Sequence, residues 1–111
     1  MAATETLKTP AFVSPDANTL TTLYTVPAGT QAVISTINVC NTASTATTFR
    51  IAATSGGSPV LGNYLIYNMS IDGYETVSFT QGITLDEGDL IAVYSASAGL
   101  AFNLFRMEVL P

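Results

Sequence analysis

Few residues in this chain could carry chemistry, and they do not form a recognisable catalytic set. The 111 residues include no histidine and one cysteine, Cys40. Histidine is the commonest general base, and a cysteine nucleophile needs a neighbouring base to become a thiolate. No glycine-rich phosphate loop follows a strand and opens a helix. We therefore predict that the protein is not an enzyme and uses no cofactor, and that Cys40 is a small buried apolar residue.

The densest group of like charge is Asp86, Glu87 and Asp89, three carboxylates within four residues. Carboxylates together with backbone carbonyls are ligands that Ca²⁺ prefers, but this spacing does not match an EF-hand loop. A solvated β-turn with Gly88 at a positive φ explains the same residues. We favour the turn over a metal site, and a Ca²⁺ site is the alternative.

Basic residues are scarce. The chain has three, Lys8, Arg50 and Arg106, against eight acidic residues, and the net charge is −5. Nucleic acid and anionic membranes both require a basic surface, so we predict neither as a partner. Both arginines lie in predicted strands. There they would pair with carboxylates such as Glu75 or Glu108, or form an ion pair with another subunit.

Tyrosines are the other candidates for a binding role. They could line a carbohydrate site, although rings at the core and rim of a β-sandwich are the commoner use of such residues. No tryptophan is present for stacking on sugars. The five tyrosines are Tyr24, Tyr64, Tyr67, Tyr74 and Tyr94.

The elements that would position these residues are predicted to be β-strands arranged around residues 23–41. Pro27 suits the second position of a type I turn and Gly29 the fourth, so this segment is predicted to form strand, turn, strand. From Gln31 the alternation has a period of two, with Val33, Ile37 and Val39 on one face. The pattern predicts a long central strand of a two-layer domain.

About eight strands separated by turn residues predict an all-β fold with a single β-sandwich, most simply a jelly roll. An immunoglobulin-like sandwich is the alternative, although the chain lacks that fold's cysteine pair and tryptophan. Asp72-Gly73 predicts a type I′ hairpin turn. Residues 1–10 are predicted to be a flexible or extended arm and residues 11–111 the sandwich domain. The predicted strands span residues 11–13, 19–26, 31–40, 46–53, 64–71, 74–80, 83–85, 90–95 and 100–110.

Two predicted strands, 64–71 and 100–110, carry apolar residues on both faces. In the second, Phe102 and Leu104 share one face while Phe105, Met107 and Val109 share the other, so either a bulge near Leu104 switches the phase or both faces are covered. Charged residues are only 10% of the chain, and charge is depleted at interface cores. We therefore predict a homo-oligomer, with a trimer favoured over a dimer. The candidate partner contacts are Leu7, Lys8, Tyr64, Ile66, Arg50 and Arg106.

Several segments resemble small virion proteins of tailed bacteriophages: LYTVPAGT (23–30), ISTINVCN (34–41), FRIAA (49–53), ITLDEGDLIAVYSAS (83–97) and NLFRMEV (103–109). The resemblance covers most of the chain after Leu20, and its motifs mark strand ends of viral β domains, many of them trimeric. It implies a capsid cement (decoration) protein that binds the major capsid protein on the outer capsid surface. A tail-fibre or receptor-binding module is the alternative. Because the first ten residues lack the apolar segment of a signal peptide, we expect synthesis in the host cytoplasm.

Overall fold

The computed structural model describes residues 4–110, except the side chains of Thr4 and Leu7. These residues form ten strands and one short 3₁₀ helix, so the all-β prediction is confirmed. The helix spans Leu61–Asn63. The strands are β1 (Thr4–Leu7), β2 (Ala11–Val13), β3 (Thr21–Thr25), β4 (Gln31–Asn41), β5 (Thr47–Thr54), β6 (Tyr64–Ile71), β7 (Thr76–Phe79), β8 (Ile83–Leu85), β9 (Leu90–Ser95) and β10 (Leu100–Leu110).

The strands form two antiparallel sheets that pack face to face as a β-sandwich. The six-stranded sheet has the order β1-β10-β4-β7, with β2 also paired to β10 and β8 also paired to β4. The four-stranded sheet has the order β3-β9-β5-β6. The long strand β4 is central to its sheet, as predicted. This order is compatible with a jelly roll, which stays our interpretation of the connectivity.

The core lies between the two sheets, where alternate apolar residues of each strand meet. Phe49 of the four-stranded sheet and Phe102 of the six-stranded sheet are fully buried, with ring centroids 6.1 Å apart in an edge-to-face arrangement. Such pairs add about 0.5–1.5 kcal/mol to the gain from burial itself. The other large, fully buried side chains are Ile34, Ile37, Ile51, Ile71, Ile91, Leu100, Leu104, Val26, Val39 and Val93.

A β-bulge in β4 overturns the single alternation that the sequence predicts for this strand. Thr36 pairs with Phe105 and Ile34 pairs with Arg106, so Ser35 has no partner in β10. The extra residue changes which positions face the core. Before it the even-numbered residues Ala32 and Ile34 are buried, and after it the odd-numbered residues Ile37 and Val39 are buried. The predicted face shared by Val33, Ile37 and Val39 is therefore wrong. A bulge of this kind is not visible in local residue pattern.

The same pairing answers the question that the sequence leaves open for β10. This strand alternates throughout: Leu100, Phe102 and Leu104 are fully buried, and Glu108, four residues further, is also buried. The bulge lies in β4, so the phase of β10 does not switch near Leu104. Phe105, Met107 and Val109 are half-buried on the outer face of the six-stranded sheet.

The predicted Asp72-Gly73 hairpin is wrong, because β6 and β7 belong to different sheets. The residue with positive φ is Tyr74, at 59°, and Gly73 does not adopt such a conformation. A Cβ atom on Gly73 would lie 2.1 Å from the carbonyl oxygen of Ser44. The glycine therefore permits a close approach of two backbones where the chain crosses between sheets.

Three smaller predictions have different outcomes. The hydrogen bond from the Thr30 N–H to the Pro27 carbonyl (3.2 Å) places Pro27 first in its turn, and not second as predicted. The β-turn predicted for residues 86–89, which we call the acidic turn, is confirmed, since Gly88 has a φ of 81°. Cys40 is half-buried, and not buried as predicted, because it lies on the outer face of β4 opposite Ala101 and Thr76.

Candidate functional site

Tyr64, Tyr67, Arg50 and Tyr94 form a continuous row across the outer face of the four-stranded sheet, which we call the tyrosine–arginine ladder. The Arg50 guanidinium lies 4.3 Å from the ring centroid of Tyr67 and 4.3 Å from that of Tyr94. Tyr64 meets Tyr67 edge to face, with centroids 4.9 Å apart. A guanidinium at this distance from two rings is held by two cation–π contacts.

The pairing of β5 with its two neighbours, β9 and β6, and an irregularity in β6 bring the ladder residues together. Arg50 of β5 is aligned with Tyr94 of β9, and its neighbours Phe49 and Ile51 are buried, so Arg50 points outward. On the other side Phe49 pairs with Met69 and Ile51 with Ile66, which leaves both Tyr67 and Asn68 opposite Arg50. Asn68 adopts a φ of 50°, a conformation that asparagine tolerates better than most residues.

Hydrogen bonds fix the ladder at Arg50 and at Tyr94. Arg50 Nε donates to Asn68 Oδ1 (2.7 Å), and the Tyr94 hydroxyl donates to Asn18 Oδ1 (2.8 Å). Within the described residues, Nη1 and Nη2 of Arg50 make no hydrogen bond. The guanidinium is thus oriented by one of its nitrogens while the other two remain available for an acceptor.

The ladder face is also unusual in its charge. The strands β3, β5, β6 and β9 contain one charged residue, Arg50, and no carboxylate. Both ion pairs in residues 4–110 involve Glu108, and neither involves Arg50. Among the described residues Arg50 therefore pairs with neither of the carboxylates suggested for the two arginines, Glu75 and Glu108. Within residues 4–110 Arg50 has no ion-pair partner, although the net charge of the chain is −5.

A second arginine–tyrosine contact lies at the edge of the sandwich, where β1 and β3 are the outermost strands of the two sheets. We call Tyr24, Arg106, Glu108 and Lys8 the inner cluster. The Arg106 guanidinium lies 4.3 Å from the Tyr24 ring centroid, and its Nε donates to Glu108 Oε2 (3.2 Å). The Tyr24 hydroxyl donates to the same carboxylate oxygen (2.7 Å). Lys8 Nζ lies 3.8 Å from Glu108 Oε1, so three groups converge on one carboxylate.

The inner cluster changes the acidity of two groups. Burial raises the pKa of Tyr24 to about 12, and the hydrogen bond to Glu108 adds to this effect. Burial alone would raise the pKa of Glu108. The hydrogen bonds from Tyr24 and Arg106, together with the charges of Arg106 and Lys8, outweigh burial and lower it below its usual value. A neutral tyrosine and an ionised glutamate are therefore the stable states.

The carboxylates of the acidic turn bind the turn itself and its neighbour. Glu87 Oε2 accepts from the Gly29 N–H (2.6 Å), and Asp86 Oδ1 accepts from Gln31 Nε2 (2.8 Å). Asp89 Oδ2 accepts from the Asp86 N–H (2.9 Å). Among residues 4–110, no three acidic or cysteine side chains are grouped as metal ligands would be. These contacts join the acidic turn to the turn that begins at Pro27.

The outer face of the six-stranded sheet carries a groove of about 550 Å³. Its lining combines apolar side chains with one cation from each end of the chain: Lys8, Pro10, Val33, Ser35, Phe105, Arg106 and Met107. Phe12, on the outer side of β2 opposite Asn103, is 65% exposed. This face is therefore apolar as well, but it has no ordered stack of rings.

The six residues predicted from the sequence to contact partners fall at four places. Arg50 and Tyr64 belong to the ladder, and Arg106 and Lys8 belong to the inner cluster. Ile66 is half-buried and packs against the core. Leu7 pairs with Met107 through its backbone, and its side chain lies outside the described part of the chain. A contact with a partner stays a prediction for each of the six.

Sequence reasoning did not connect Arg50 with Tyr67, Asn68 and Tyr94. Tyr94 lies 44 positions further along the chain and meets Arg50 only through the β5–β9 pairing. The available signal was the outward phase of Arg50 and Tyr94, each placed between two inward-facing residues. The Tyr24–Glu108 hydrogen bond, which spans 84 positions, had no local signal.

No protein-family model and no curated protein matches this chain. Two solved structures of a pentameric capsid protein isolated from metagenomic phage sequences are similar to it. Each is 22% identical and has a TM-score of 0.42. The similarity covers 86% of this chain and 59% and 60% of those chains, so this chain spans about three-fifths of their length. No helix in residues 4–110 is long and apolar enough to cross a membrane.

Proposed function

We propose that this protein is a structural component of a tailed-phage virion, a capsid cement (decoration) protein that binds the outer capsid surface as a homo-oligomer, with a trimer favoured. The observation that carries the proposal is the exposure of large apolar and aromatic side chains on the outside of the sandwich. Leu61 is 84%, Tyr74 74% and Phe12 65% exposed. Aromatic rings that lie side by side on an outer face, as Tyr64 and Tyr67 do in the ladder, mark surfaces that other proteins cover.

The mechanism is cohesion of the shell. A protein that binds the assembled capsid, and not its free subunits, stabilises the assembled state by mass action. The partner would be the major capsid protein, and the energy would come from area buried between subunits. The hydrogen-bonded sandwich supplies a rigid body that can connect neighbouring subunits. This role requires no catalytic group, in agreement with the residue types of the chain.

A tail-fibre or receptor-binding module is the second candidate, and the exposed rings of the ladder favour it. Against it, the loops of residues 42–46, 55–59 and 96–99 consist mainly of small residues, whereas a receptor site needs side chains that make specific contacts. Because these loops offer few side chains for specific contacts, we prefer the capsid cement function to the receptor-binding function.

Antibody against the purified protein, applied to intact virions and viewed by negative-stain electron microscopy, separates these functions. Label distributed over the heads is the expected result. Label on tail fibres would support the receptor-binding module, and absence of label from disrupted as well as intact virions would contradict a structural role. Non-immune antibody is the control.

A further inference from the structure

We propose that the tyrosine–arginine ladder is the face through which one copy of this chain binds a second copy, with Arg50 receiving a carboxylate of its neighbour. The proposal deepens the proposed function, on which its biological role rests, because it identifies the surface that makes the oligomer. It stands on the contacts of Arg50, on the charge of the ladder face and on where the carboxylates lie.

Arg50 is prepared for a ligand. Its guanidinium is held between Tyr67 and Tyr94 and oriented by Asn68, so little side-chain freedom remains to be lost on binding. A guanidinium offers a planar pair of donors that matches the two oxygens of a carboxylate. Tyrosine and arginine are also the residues that most often dominate the binding energy of protein interfaces.

Charge complementarity identifies the occupant. Lys8 and Arg106 are both paired with Glu108, which leaves Arg50 as the one basic residue in residues 4–110 without a carboxylate. A second copy carries seven carboxylates besides Glu108, and the ion pairs of the described residues use none of them. The chain therefore supplies in excess the group that Arg50 lacks.

The location of the carboxylates determines the geometry of the contact. All eight lie in β1, in β10 or in connections between strands, and the four-stranded sheet has none. Two ladders placed face to face would bring Arg50 against Arg50 without a counter-charge. The contact must therefore join the ladder of one copy to a carboxylate-bearing surface of the next. Where that surface is separate from the ladder, the contact is head-to-tail and closes into a ring or extends into a filament.

Sedimentation velocity on the purified full chain at 1–200 µM in 50 mM NaCl tests the proposal. The variants are Arg50→Gln, Arg50→Lys and, as a control, Thr80→Glu, which changes the net charge as Arg50→Gln does at an exposed position outside the ladder. We expect the wild-type protein and Thr80→Glu to associate equally. Arg50→Gln should weaken association about tenfold or more, and Arg50→Lys severalfold because lysine lacks the planar pair of donors.

The salt dependence of association is a second test, and it uses the wild-type protein alone, so it does not require any variant to fold. Raising NaCl from 50 to 500 mM should weaken association of the wild-type protein severalfold, because an ion pair near the surface is screened. A monomeric wild-type protein, an unchanged Arg50→Gln variant, an equally weakened Thr80→Glu control or insensitivity to salt would each overturn the proposal. These results are separate from the antibody experiment: associating protein absent from virions would overturn the proposed function alone.

Discussion

Arg50 and Arg106 make the same contact with a tyrosine ring, at the same distance of 4.3 Å, in opposite surroundings. Arg106 has a side chain only 14% exposed, and its guanidinium also binds Glu108 and the Thr9 carbonyl. Arg50 lies on an outer face between two rings and pairs with no carboxylate of the described part of the chain. The comparison shows that stacking alone does not define the role of an arginine. Its remaining donors decide whether it holds the fold together or is available to a partner.

The largest expected effect comes from removing the shared acceptor of the inner cluster. Glu108→Gln leaves the Arg106 charge partly buried without a counter-ion, which should lower the free energy of unfolding by about 3 kcal/mol. Urea denaturation followed by circular dichroism measures the change. Asp16→Asn, at an exposed carboxylate outside both arginine sites, is the control and should stay within about 0.5 kcal/mol of the wild-type protein. A similar small loss for Glu108→Gln would remove the distinction between the two arginines.

A smaller effect should follow from replacing each arginine by lysine, which keeps the charge and removes the planar donors. Arg106→Lys should cost about 2 kcal/mol, because the bonds to Glu108 and Thr9 depend on the fork of the guanidinium. Arg50→Lys should cost about 0.5 kcal/mol, since it loses one hydrogen bond and weakens exposed cation–π contacts. The same urea denaturation measures both, and equal losses would show that the two sites contribute alike to stability.

The smallest expected effect is a difference between the two sites in how the free energy of unfolding depends on pH. The pKa of Tyr24 is raised to about 12 in the folded protein, so its contribution to stability is complete below the unfolded value near 10 and is lost as pH rises through 12. The free energy of unfolding should therefore fall by about 1 kcal/mol between pH 9 and 11 through this group. In Tyr24→Phe that part of the fall should disappear, whereas Tyr94→Phe in the ladder should retain it. Identical pH profiles for wild type and Tyr24→Phe would contradict this assignment.

At acid pH the ionisation of Glu108 should make the free energy of unfolding fall as pH decreases, the opposite direction to the effect of Tyr24. Its pKa is lowered by the hydrogen bonds and charges around it, so its contribution is present above the ordinary glutamate value and is lost as pH falls through the lower, folded value. In Glu108→Gln this part of the acid dependence should be absent. The test is the difference between the two proteins in urea denaturation at pH 3 and pH 6.

Local pattern predicted the elements of this fold but not their partners. The bounds of β6, β8, β9 and β10 follow from runs rich in apolar and β-branched residues between flanking turn residues, which are properties of neighbouring positions. The bulge at Ser35 and the crossing at Gly73 depend on contacts with distant strands, and so local reasoning could not predict them. The candidate sites show the same limit: Arg50 and Arg106 were identified by type, but their tyrosines were assigned only by the pairing of the sheets.

The sheet order also has a consequence for how quickly the chain reaches its native state. Among the described strands, only β5 and β6 are adjacent in both the chain and the sheet. Every other pairing must close a longer segment before its hydrogen bonds form, and that entropic cost comes first. Domains of this kind fold in roughly milliseconds to seconds, far more slowly than helical bundles. The supply of native chain after synthesis would therefore be limited by the search for distant strands, with the β5–β6 hairpin as the one pairing able to form early.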